Sequence, residues 1–346
     1  MESQTGVPLS ELTTLKLGGP AARLVECHSE ADLLNLVRAT STSDVEHQEL
    51  LLLAGGSNVV VADSGWPGTV GLIRTRGREV RAEDDAVLID IAAGEPWDEF
   101  VAWAVDEGFA GVEALAGIPG LVGATPIQNV GAYGQDVASR IEAVRVLDRR
   151  TGEVASWSPE ACRFGYRTSH FKEHPDRFVV LEVTFRLERT GLSGPIRYPE
   201  LAGNLGIQVG DSAPTAEVRQ AVLQLRRSKG MVLDPTDPDT NSAGSFFTNP
   251  IVDKELADRL PEAAPRYPAG SRVKLSAAWL IENTGFHKGY GSGAAKVSSK
   301  HTLALTNTGG ATTSELLLLA TTIRDQVEHH YGVVLKPEPV LVGCRL

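Results

Sequence analysis

Apolar residues follow two spacings along the chain, and segments of both kinds alternate. Helical spacing predicts amphipathic helices that begin near Ser29, Pro96, Thr215, Ser276 and Thr312, with Thr215 as the cap of its helix. The starts at Ser29 and Thr312 each have an acidic residue three positions later, as in a capping box. Alternating or continuous apolar runs predict strands at 50–53, 59–61, 86–93, 178–187 and 303–305, a hairpin around Thr151 and a strand-like tail at 333–343. The pattern therefore predicts a protein of mixed helix and sheet.

One stretch fits neither spacing. Residues 114–135, ALAGIPGLVGATPIQNVGAYGQ, carry no charged side chain and contain glycine along their whole length. Glycine permits positive φ and close backbone approach, whereas Pro119 and Pro126 restrict the chain, so we expect a rigid loop. The backbone groups of such a loop need hydrogen-bond partners, and a bound polar ligand is one candidate. The alternative from composition alone is an apolar turn over the core.

Three other places carry candidate chemistry. The run 55–58, Gly-Gly-Ser-Asn, connects two predicted strands and could cradle a phosphate, although a tight turn accounts for the same residues. Arg167 lies among aromatic residues and suits the stabilisation of a carboxylate or enolate, with a solvated strand end as the alternative. Glu338 lies between two prolines of the tail, where a solvated carboxylate is the ordinary explanation.

Charge and cysteine content exclude several classes of partner. The 346 residues include 44 acidic and 33 basic side chains, and the net charge of -11 opposes general binding to nucleic acid or anionic membranes. Cys27, Cys162 and Cys344 are far apart and odd in number, so they predict neither a disulfide framework nor a metal site. The first residues do not resemble a signal peptide, and no apolar run approaches membrane-spanning length. We therefore expect a cytoplasmic protein with no membrane insertion and no metal.

A further glycine run tests the dinucleotide-binding interpretation. Residues 289–294, Gly-Tyr-Gly-Ser-Gly-Ala, match the loose dinucleotide fingerprint, but no clear strand precedes them and no convincing helix follows. A Rossmann interpretation is therefore rejected. The segment 234–249 is rich in Asp, Pro, Thr and Gly and indicates a domain boundary.

Taken together, these segments resemble one known family. The run 116–134 resembles the flavin loop of bacterial UDP-N-acetylenolpyruvoylglucosamine reductases, the flavoenzymes that complete UDP-N-acetylmuramate for peptidoglycan synthesis. Further matches follow in family order at TLKLGG (14–19), GGSN (55–58), YR (166–167), GSFFTNP (244–250) and KPE (336–338). The insert around Tyr198 is similar to the substrate-covering loop of the type I branch. The chain is thus identified as a member of this family.

The resemblance implies an α+β architecture with three domains. Two subdomains form an FAD-binding fold of the PCMH or vanillyl-alcohol-oxidase type and grip FAD, and a C-terminal domain binds and closes over the UDP-sugar. The implied boundaries are 1–80 with 335–346 for the first FAD-binding subdomain, 81–228 for the second and 229–334 for the substrate-binding domain.

The family's functional positions carry over residue by residue. Arg167, Ser245 and Glu338 match the catalytic positions, with Ser245 as proton donor and the other two suited to stabilising an enolate. Tyr198, Lys229 and Asn249 match substrate-binding positions. The implied cofactor-binding residues are Gly55, Gly56, Ser57, Asn58, Gly117, Ile118, Pro119, Gly120, Gly123, Ala124, Thr125, Gln128, Asn129, Gly131, Ala132 and Tyr133.

The implied activity is an FAD-dependent reduction of UDP-N-acetylglucosamine enolpyruvate, with NADPH as hydride donor, FAD held without a covalent bond and the protein a monomer. The product would serve peptidoglycan synthesis, and with it cell shape and cell division. Two alternatives remain open, a flavin oxidase of the same superfamily and a non-catalytic nucleotide-sugar sensor. The joint presence of Arg167, Ser245 and Glu338 argues against both, and no His or Cys lies within 55–61 as a covalent flavin tether.

Two departures from the family pattern are visible. The segment between Lys229 and Ser245 is longer and richer in Asp and Pro than in some members. Val340 stands where certain relatives carry an arginine, so the contribution of that arginine is absent or comes from elsewhere, with Lys296 and Lys300 as candidates.

Overall fold

The computed structural model describes residues 2–41 and 50–346. Its strands are β1 Ser3–Gln4, β2 Val7–Pro8, β3 Pro20–Cys27, β4 Leu50–Leu53, β5 Val59–Val61, β6 Trp66–Ile73, β7 Arg78–Ala82, β8 Ala86–Ala92, β9 Gly131–Ala132, β10 Gln135–Asp136, β11 Ile141–Asp148, β12 Val154–Trp157, β13 Phe178–Glu188, β14 Ser242–Ser245, β15 Ile251–Val252, β16 Arg266–Ala269, β17 Arg272–Leu275, β18 Ala295–Val297, β19 Ala304–Asn307 and β20 Val340–Val342. Its α-helices are α1 Glu30–Ser41, α2 Trp97–Asp106, α3 Pro159–Cys162, α4 His170–Glu173, α5 Pro199–Leu205, α6 Thr215–Ser228, α7 Lys254–Asp258, α8 Ala277–Glu282 and α9 Thr313–Tyr331.

The chain divides into two compact units, each assembled from separate stretches of sequence. The first unit consists of the described parts of Met1–Val7, Ala21–Gly55 and Pro67–Arg227. The second consists of Pro8–Pro20, Gly56–Trp66 and Ser228–Leu346. The three-domain boundaries that the resemblance implies stay a prediction.

The first unit is built on two sheets. One has the order β12-β11-β13-β8-β7, with antiparallel neighbours throughout. Phe185 of β13 is fully buried, and its ring lies 5.7 Å from Trp97 and 5.3 Å from Phe100 of α2. This aromatic contact fixes α2 on the sheet, and α2 leads directly into the glycine-rich loop.

The other sheet of this unit has the order β1-β3-β6-β4, and α1 buries Leu33, Leu36 and Val37. The predicted capping box of α1 is confirmed, because Ser29 N donates to Asp32 at 2.9 Å and Asp32 N donates to the Ser29 hydroxyl oxygen at 3.1 Å.

The second unit packs three small sheets, β14-β19-β18, β15-β17-β16 and β20-β5, with the long helix α9. The predicted start of α9 is confirmed, since Thr312 and Glu315 cap each other's backbone, and Gly332 ends the helix at a φ of 66°. Asp63 adds a second anchor. Its carboxylate accepts hydrogen bonds from the backbone N–H groups of Thr313 at 2.7 Å and Ser314 at 2.9 Å.

Most predicted elements are present, with three differences. The strands at 50–53 and 59–61 form, but β4 pairs with β6 while β5 pairs with β20, so the run 55–58 is where the chain passes from the first unit to the second. The strand-like tail contains only β20, because two prolines flank Glu338 just before it. Thr215 is the first residue of α6 rather than its cap, and its hydroxyl donates to Gly191 O at 3.4 Å.

The rejection of a Rossmann site agrees with the structure, because a strand, β18, rather than a helix follows the glycine run 289–294. Among the helices of residues 2–41 and 50–346, none has both the length and the apolar character needed to cross a membrane.

Candidate functional site

Residues 114–135 fold into a series of short turns. Two 3-10 turns, Glu113–Leu115 and Val122–Ala124, are followed by the β9-β10 hairpin. Positive φ is needed at Gly117 (70°) and Gly120 (123°), where L side chains are disfavoured. The loop is therefore a defined structure whose shape depends on its glycines.

Gly117 is held on both sides of its backbone. Its N–H donates to Asp98 Oδ1 at 2.6 Å, and its carbonyl accepts from Arg226 Nη2 at 3.2 Å. Arg226 is buried, and burial lowers the pKa of its guanidinium against the opposing effect of Tyr133 and Asp98. Both backbone groups of Gly117 thus have partners inside the protein, and its contact with a cofactor stays a prediction.

The two ends of the loop are joined by side chains that we call the Glu113–Gln135 clasp. Gln135 Nε2 donates to Glu113 Oε1 at 2.7 Å, and Gln135 Oε1 accepts from Ala114 N at 2.9 Å. The other oxygen of Glu113 accepts from Gly111 N at 2.6 Å. Glu113 is fully buried. A buried carboxylate is stable here because both of its oxygens are hydrogen-bonded.

Two other glycines mark close approach rather than backbone freedom. A Cβ on Gly123 would lie 2.4 Å from the Cβ of Ala93, directly after β8. A Cβ on Gly55 would lie 2.8 Å from Cα of Gly120. The run that begins at Gly55 and the loop therefore touch within the first unit, backbone against backbone.

Arg167 lies against the loop. Its Nη2 donates to Gly131 O at 2.6 Å and its Nη1 to Asn129 O at 3.4 Å. Asn129 is buried and fixes the same part of the loop. Its side chain donates to Gly165 O at 3.1 Å and accepts from Ala138 N at 3.1 Å. The structure thus brings the predicted catalytic arginine to the predicted flavin loop.

Left-handed backbone is concentrated at predicted site residues. Asn129 (φ 46°), Tyr133 (φ 50°) and Arg167 (φ 55°) are non-glycine residues with positive φ, a conformation that costs about 1 kcal/mol or more unless the surroundings impose it. Lys16 and Arg163 share the conformation. Strain of this kind clusters at functional sites, and it supports a role for this part of the first unit.

Tyr133 connects the loop to the predicted substrate loop. Its ring meets that of Tyr198 edge to face at 5.3 Å between centroids. Burial raises the pKa of Tyr133 to about 12, with Glu200 and Tyr198 adding to the effect and Arg226 opposing it. Tyr133 is therefore a neutral phenol at physiological pH. Tyr198 precedes α5 and keeps 39% of its surface exposed.

The residues 56–58 belong to the second unit and rest on the segment TLKLGG. Gly56 has a φ of 61°, and a Cβ there would lie 1.9 Å from Leu12 O. Thr14 N donates to Gly56 O at 3.1 Å, and the Thr14 hydroxyl donates to Ser242 O at 2.7 Å. Two matched family segments, TLKLGG and GGSN, are thus in direct contact.

Ser245 and Glu338 are brought to neighbouring positions by backbone pairing. Ser245 ends β14, opposite Ala304 of β19. Phe246 N donates to Leu303 O at 2.7 Å, and Phe246 O accepts from Glu338 N at 2.8 Å. The motif GSFFTNP and the motif KPE therefore form one small structure in the second unit.

The predicted substrate residues of the second unit have mixed surroundings. Asn249 Oδ1 accepts from Ala277 N at 2.9 Å at the start of α8, so this side chain also has a structural task. Lys229 directly follows α6. Lys300 Nζ lies 2.5 Å from Asp237 Oδ2, which raises the pKa of Lys300. Its charge is thus already matched, which weakens it as a substitute for the arginine missing at Val340.

The structure divides the predicted site residues between the units. The first unit holds Gly55, the predicted loop residues 117–133, Arg167 and Tyr198, and the second holds Gly56, Ser57, Asn58, Lys229, Ser245, Asn249 and Glu338. Asp98, Glu113, Gln135 and Arg226, which hold the loop, were not predicted. Glu113 and Gln135 stand immediately at the two ends of the charge-free run, and that placement was the available signal.

The first unit suits a flavin. The partly exposed residues 118–120 are uncharged, and their glycine lies against Gly55. A planar heteroaromatic ring is bound mostly by uncharged surface with a few polar groups that orient it, and residues 118–120 place no charge there.

Comparison with known proteins agrees with this arrangement. Residues 21–158 match the model of an FAD binding domain, and residues 234–342 match the model of the UDP-N-acetylenolpyruvoylglucosamine reductase C-terminal domain. The α+β fold with an FAD-binding part and a C-terminal substrate-binding part is therefore confirmed.

Full-length relatives give the same result. The chain is 53% identical to the UDP-N-acetylenolpyruvoylglucosamine reductase of Thermobifida fusca over 98% of both chains. It is 52% identical to that of Streptomyces coelicolor, over 98% of this chain and 90% of the relative. The crystal structure of the Thermus caldophilus UDP-N-acetylenolpyruvylglucosamine reductase superposes with a TM-score of 0.66 at 25% identity, covering 99% of this chain and 98% of the other.

Proposed function

Because the chain belongs to the family of UDP-N-acetylenolpyruvoylglucosamine reductases, we propose that its two glycine turns and its arginine, serine and glutamate act together in the family's reaction. The protein is an FAD-dependent oxidoreductase that uses NADPH to reduce UDP-N-acetylglucosamine enolpyruvate to UDP-N-acetylmuramate, a step of peptidoglycan precursor synthesis. The observation that carries the proposal is the attachment of Arg167 to the carbonyl groups of the flavin loop.

The loop and the turn are proposed to hold the cofactor without a covalent bond. Backbone groups of residues 118–133 and of 55–58 face it, while Asp98, Arg226 and the Glu113–Gln135 clasp keep the loop in shape. When bound, FAD supplies the redox chemistry, taking a hydride from NADPH and giving one to the outer carbon of the enolpyruvyl double bond.

The protein's own residues manage the charge that this transfer leaves on the substrate. Negative charge develops on the carbon that bears the carboxylate, and it is best held as an enolate beside a fixed cation and a hydrogen-bonding acid. Arg167 and Glu338 are proposed for these two roles. Arg167 is preorganised because two backbone carbonyls fix its guanidinium before substrate arrives.

Ser245 is proposed to donate the final proton from its hydroxyl to that carbon. A serine hydroxyl is a very weak acid, so the accepting carbon must be strongly basic or the alkoxide must be stabilised by a nearby cation. The backbone pairing of β14 with β19 fixes the position of the hydroxyl along its strand. Tyr198, Lys229 and Asn249 are proposed to bind the nucleotide-sugar.

Two further proposals concern the protein as a whole. We propose that it acts in the cytoplasm, since its substrate and NADPH are cytoplasmic metabolites, and that it acts as a monomer. The net charge of -11 supports the view that neither nucleic acid nor an anionic membrane surface is a partner.

Anaerobic rapid mixing of the FAD-loaded protein with each substrate in turn tests the function. We expect NADPH to bleach the flavin absorbance and the enolpyruvyl substrate to restore it without oxygen, and denaturation should release FAD into solution. Reoxidation by oxygen but not by the enolpyruvyl substrate would instead support a flavin oxidase. A protein that neither contains nor takes up FAD would contradict the proposal.

A further inference from the structure

A cluster of histidine and glutamate side chains lies beside the segment that carries Arg167. His170, Glu173 and His174 each offer a ligand atom, and these three atoms lie within 4.8 Å of one another. In the sequence the cluster reads His-x-x-Glu-His, the order found in one class of zinc peptidases. Neither histidine is among the predicted site residues or the motifs that identify the family.

The imidazole of His174 is held in the tautomer that binds metal. Its Nδ1 lies 3.0 Å from His170 O, and because a carbonyl oxygen can only accept, Nδ1 must carry the hydrogen. In the neutral ring the lone pair is therefore on Nε2. A ring N–H donated to a backbone carbonyl is also the usual support behind a metal-bound histidine.

The ring of His170 is fixed by aromatic neighbours. Its centroid lies 5.4 Å from Trp157, 5.4 Å from Phe178 and 4.4 Å from His174. Its Nδ1 is buried and has no hydrogen-bond partner among the described residues. The two imidazoles are thus in contact, and one of them has a polar atom that nothing in the described protein satisfies.

The backbone beneath the cluster is also fixed. The Ser169 hydroxyl accepts from Lys172 N at 3.3 Å, capping α4, and donates to Ile127 O of the glycine-rich loop at 2.5 Å. A site whose backbone is anchored loses less conformational entropy when an ion orders its side chains.

We propose that His170, Glu173 and His174 bind one divalent transition-metal ion of the Zn²⁺ class, with solvent in the remaining coordination positions. Two imidazoles and a carboxylate form a ligand set that Zn²⁺ accepts readily. The single turn of α4 and the partly exposed ligands do not provide the enclosed cleft of a peptidase, so the site is a reversible ion site. The charges of Arg163 and Arg177 reach His170 and weaken the attraction for a cation, and the charge of Glu173 opposes them.

The experiment titrates metal-free, FAD-loaded protein with Zn²⁺ by calorimetry, and with Co²⁺ by absorbance beyond the flavin bands. We expect one equivalent to bind. The bound Co²⁺ should show visible absorption bands of the kind that a low coordination number produces. His174→Gln and Glu173→Gln should each weaken binding at least about tenfold, while flavin content and metal-free reductase activity stay at wild-type levels. Glu173→Gln leaves the ring contacts of His170 in place, and His174→Gln removes the contact with the His174 ring while those with Trp157 and Phe178 remain, so both should fold.

Matched variants separate this cluster from other ligands. Like His174, His330 has its Nδ1 3.0 Å from the carbonyl oxygen of the residue four positions earlier. That residue is Gln326 and not a second histidine, so His330 has the same local contact without the cluster. His330→Gln and Cys344→Ser should leave the affinity unchanged. The proposal is overturned if no equivalent binds stoichiometrically, if His174→Gln and Glu173→Gln bind like wild type, or if either matched variant lowers the affinity by as much.

Discussion

The glycine-rich loop and the Ser245–Glu338 region are both proposed to meet the reacting groups, yet they are held by different means. Side chains fix the loop, since Asp98, Arg226 and the Glu113–Gln135 clasp all bond to its backbone or to its ends. Backbone pairing fixes the second region, through the bonds that Phe246 makes to Leu303 and Glu338.

This difference determines which substitutions should matter. In the loop, substitution of a residue that never touches a ligand can displace the backbone that binds the ligand. The residues that support the loop are therefore different from those that bind. Around Ser245 the strand pairing is insensitive to side-chain identity, so a substitution there should remove one chemical group and leave the geometry intact. Each prediction below tests one side of this contrast.

The largest effect is expected at Ser245. Ser245→Ala should leave reduction of the flavin by NADPH nearly intact and slow its reoxidation by the enolpyruvyl substrate, because the strand is preserved and only the proton donor is lost. General acid catalysis contributes roughly 10²- to 10⁴-fold, or about 3–5 kcal/mol of barrier, and stopped-flow spectroscopy at saturating substrate measures it.

Ser245→Cys is the matched control. A thiol donates a proton from nearly the same place, so part of the reoxidation rate should return. A saturated reoxidation rate of Ser245→Ala within a few-fold of wild type would reject the serine as proton donor.

The next effect is expected at Gly123. A valine there drives its Cβ into Ala93, so Gly123→Val should displace the loop, destabilise the first unit by about 1–3 kcal/mol and weaken FAD binding. Flavin retained after gel filtration and the midpoint of thermal unfolding are the measurements. Gly194→Val is the control, because a Cβ on Gly194 meets nothing within 4 Å. Full flavin retention in a folded Gly123→Val protein would separate this glycine from the cofactor site.

A smaller effect, with a sharper control, is expected at the clasp. Glu113→Gln brings two amide donors face to face and leaves a buried group unsatisfied, which costs about 1–3 kcal/mol. Gln135→Glu puts two carboxylates in contact, and they repel unless one is protonated, so flavin retention in this variant should fall as the pH rises.

The reciprocal variant Glu113→Gln with Gln135→Glu should restore binding. The new glutamine can accept from Gly111 and donate across the clasp, while the new glutamate accepts from Ala114 and from that donor, so all three hydrogen bonds re-form and only the one across the clasp reverses its direction. FAD affinity is measured by fluorescence quenching. If the double variant binds FAD more weakly than both single variants, the clasp does not act as a hydrogen-bonded unit.

The smallest effect is expected at Asp63, in the second unit. Burial alone would raise the pKa of this carboxyl, but hydrogen bonds from Ser314 and Thr313 outweigh it and hold the pKa below its usual value of 3.8. The folded pKa is therefore depressed, so the stabilisation is present at neutral pH and is lost as the pH falls through the acid range.

Asp63→Ala should accordingly lower the free energy of unfolding by about 1 kcal/mol at neutral pH, as for other helix caps, and by less in acid. The rates of flavin reduction and reoxidation should stay unchanged, since the Asp63 carboxylate is engaged at the start of α9 and Asp63 is not among the predicted site residues. Denaturant unfolding at several pH values measures the effect. A loss of the same size at every pH would show that the carboxylate charge is not what stabilises α9.

The sequence predicts those parts of the fold that local pattern controls. The capping boxes of α1 and α9, the hairpin of β11 and β12 and the long strand β13 all follow from residues within a few positions of one another. Family membership, the cofactor and the reaction were also correctly inferred, because the matched motifs are short and keep their order along the chain.

What the sequence could not predict depends on distant residues. The partner of β5 is β20, far along the chain, and nothing local to Val59 or Val340 indicates that pairing. Arg226 lies in the last turn of α6, and only the fold shows that it is buried and donates to Gly117 O. The close approach of Gly123 to Ala93 is likewise visible only in the fold, and the cofactor contact of that glycine stays a prediction.

The pairing of β5 with β20 also has a consequence for synthesis on the ribosome. The chain emerges from its N-terminus, so the stretches near residues 8–20 and 56–66 leave the exit tunnel long before the strand that completes their unit. Until β20 follows, β5 presents an unpaired edge to the cell, as edge strands do in nascent chains. All stretches of the first unit lie at or before Arg227, so its whole sequence has been synthesised while translation of the second unit continues. Nascent chains that end at residue 227 and at residue 346, each held clear of the exit tunnel by a C-terminal linker, should therefore differ in protease resistance within 56–66 and agree within 67–227.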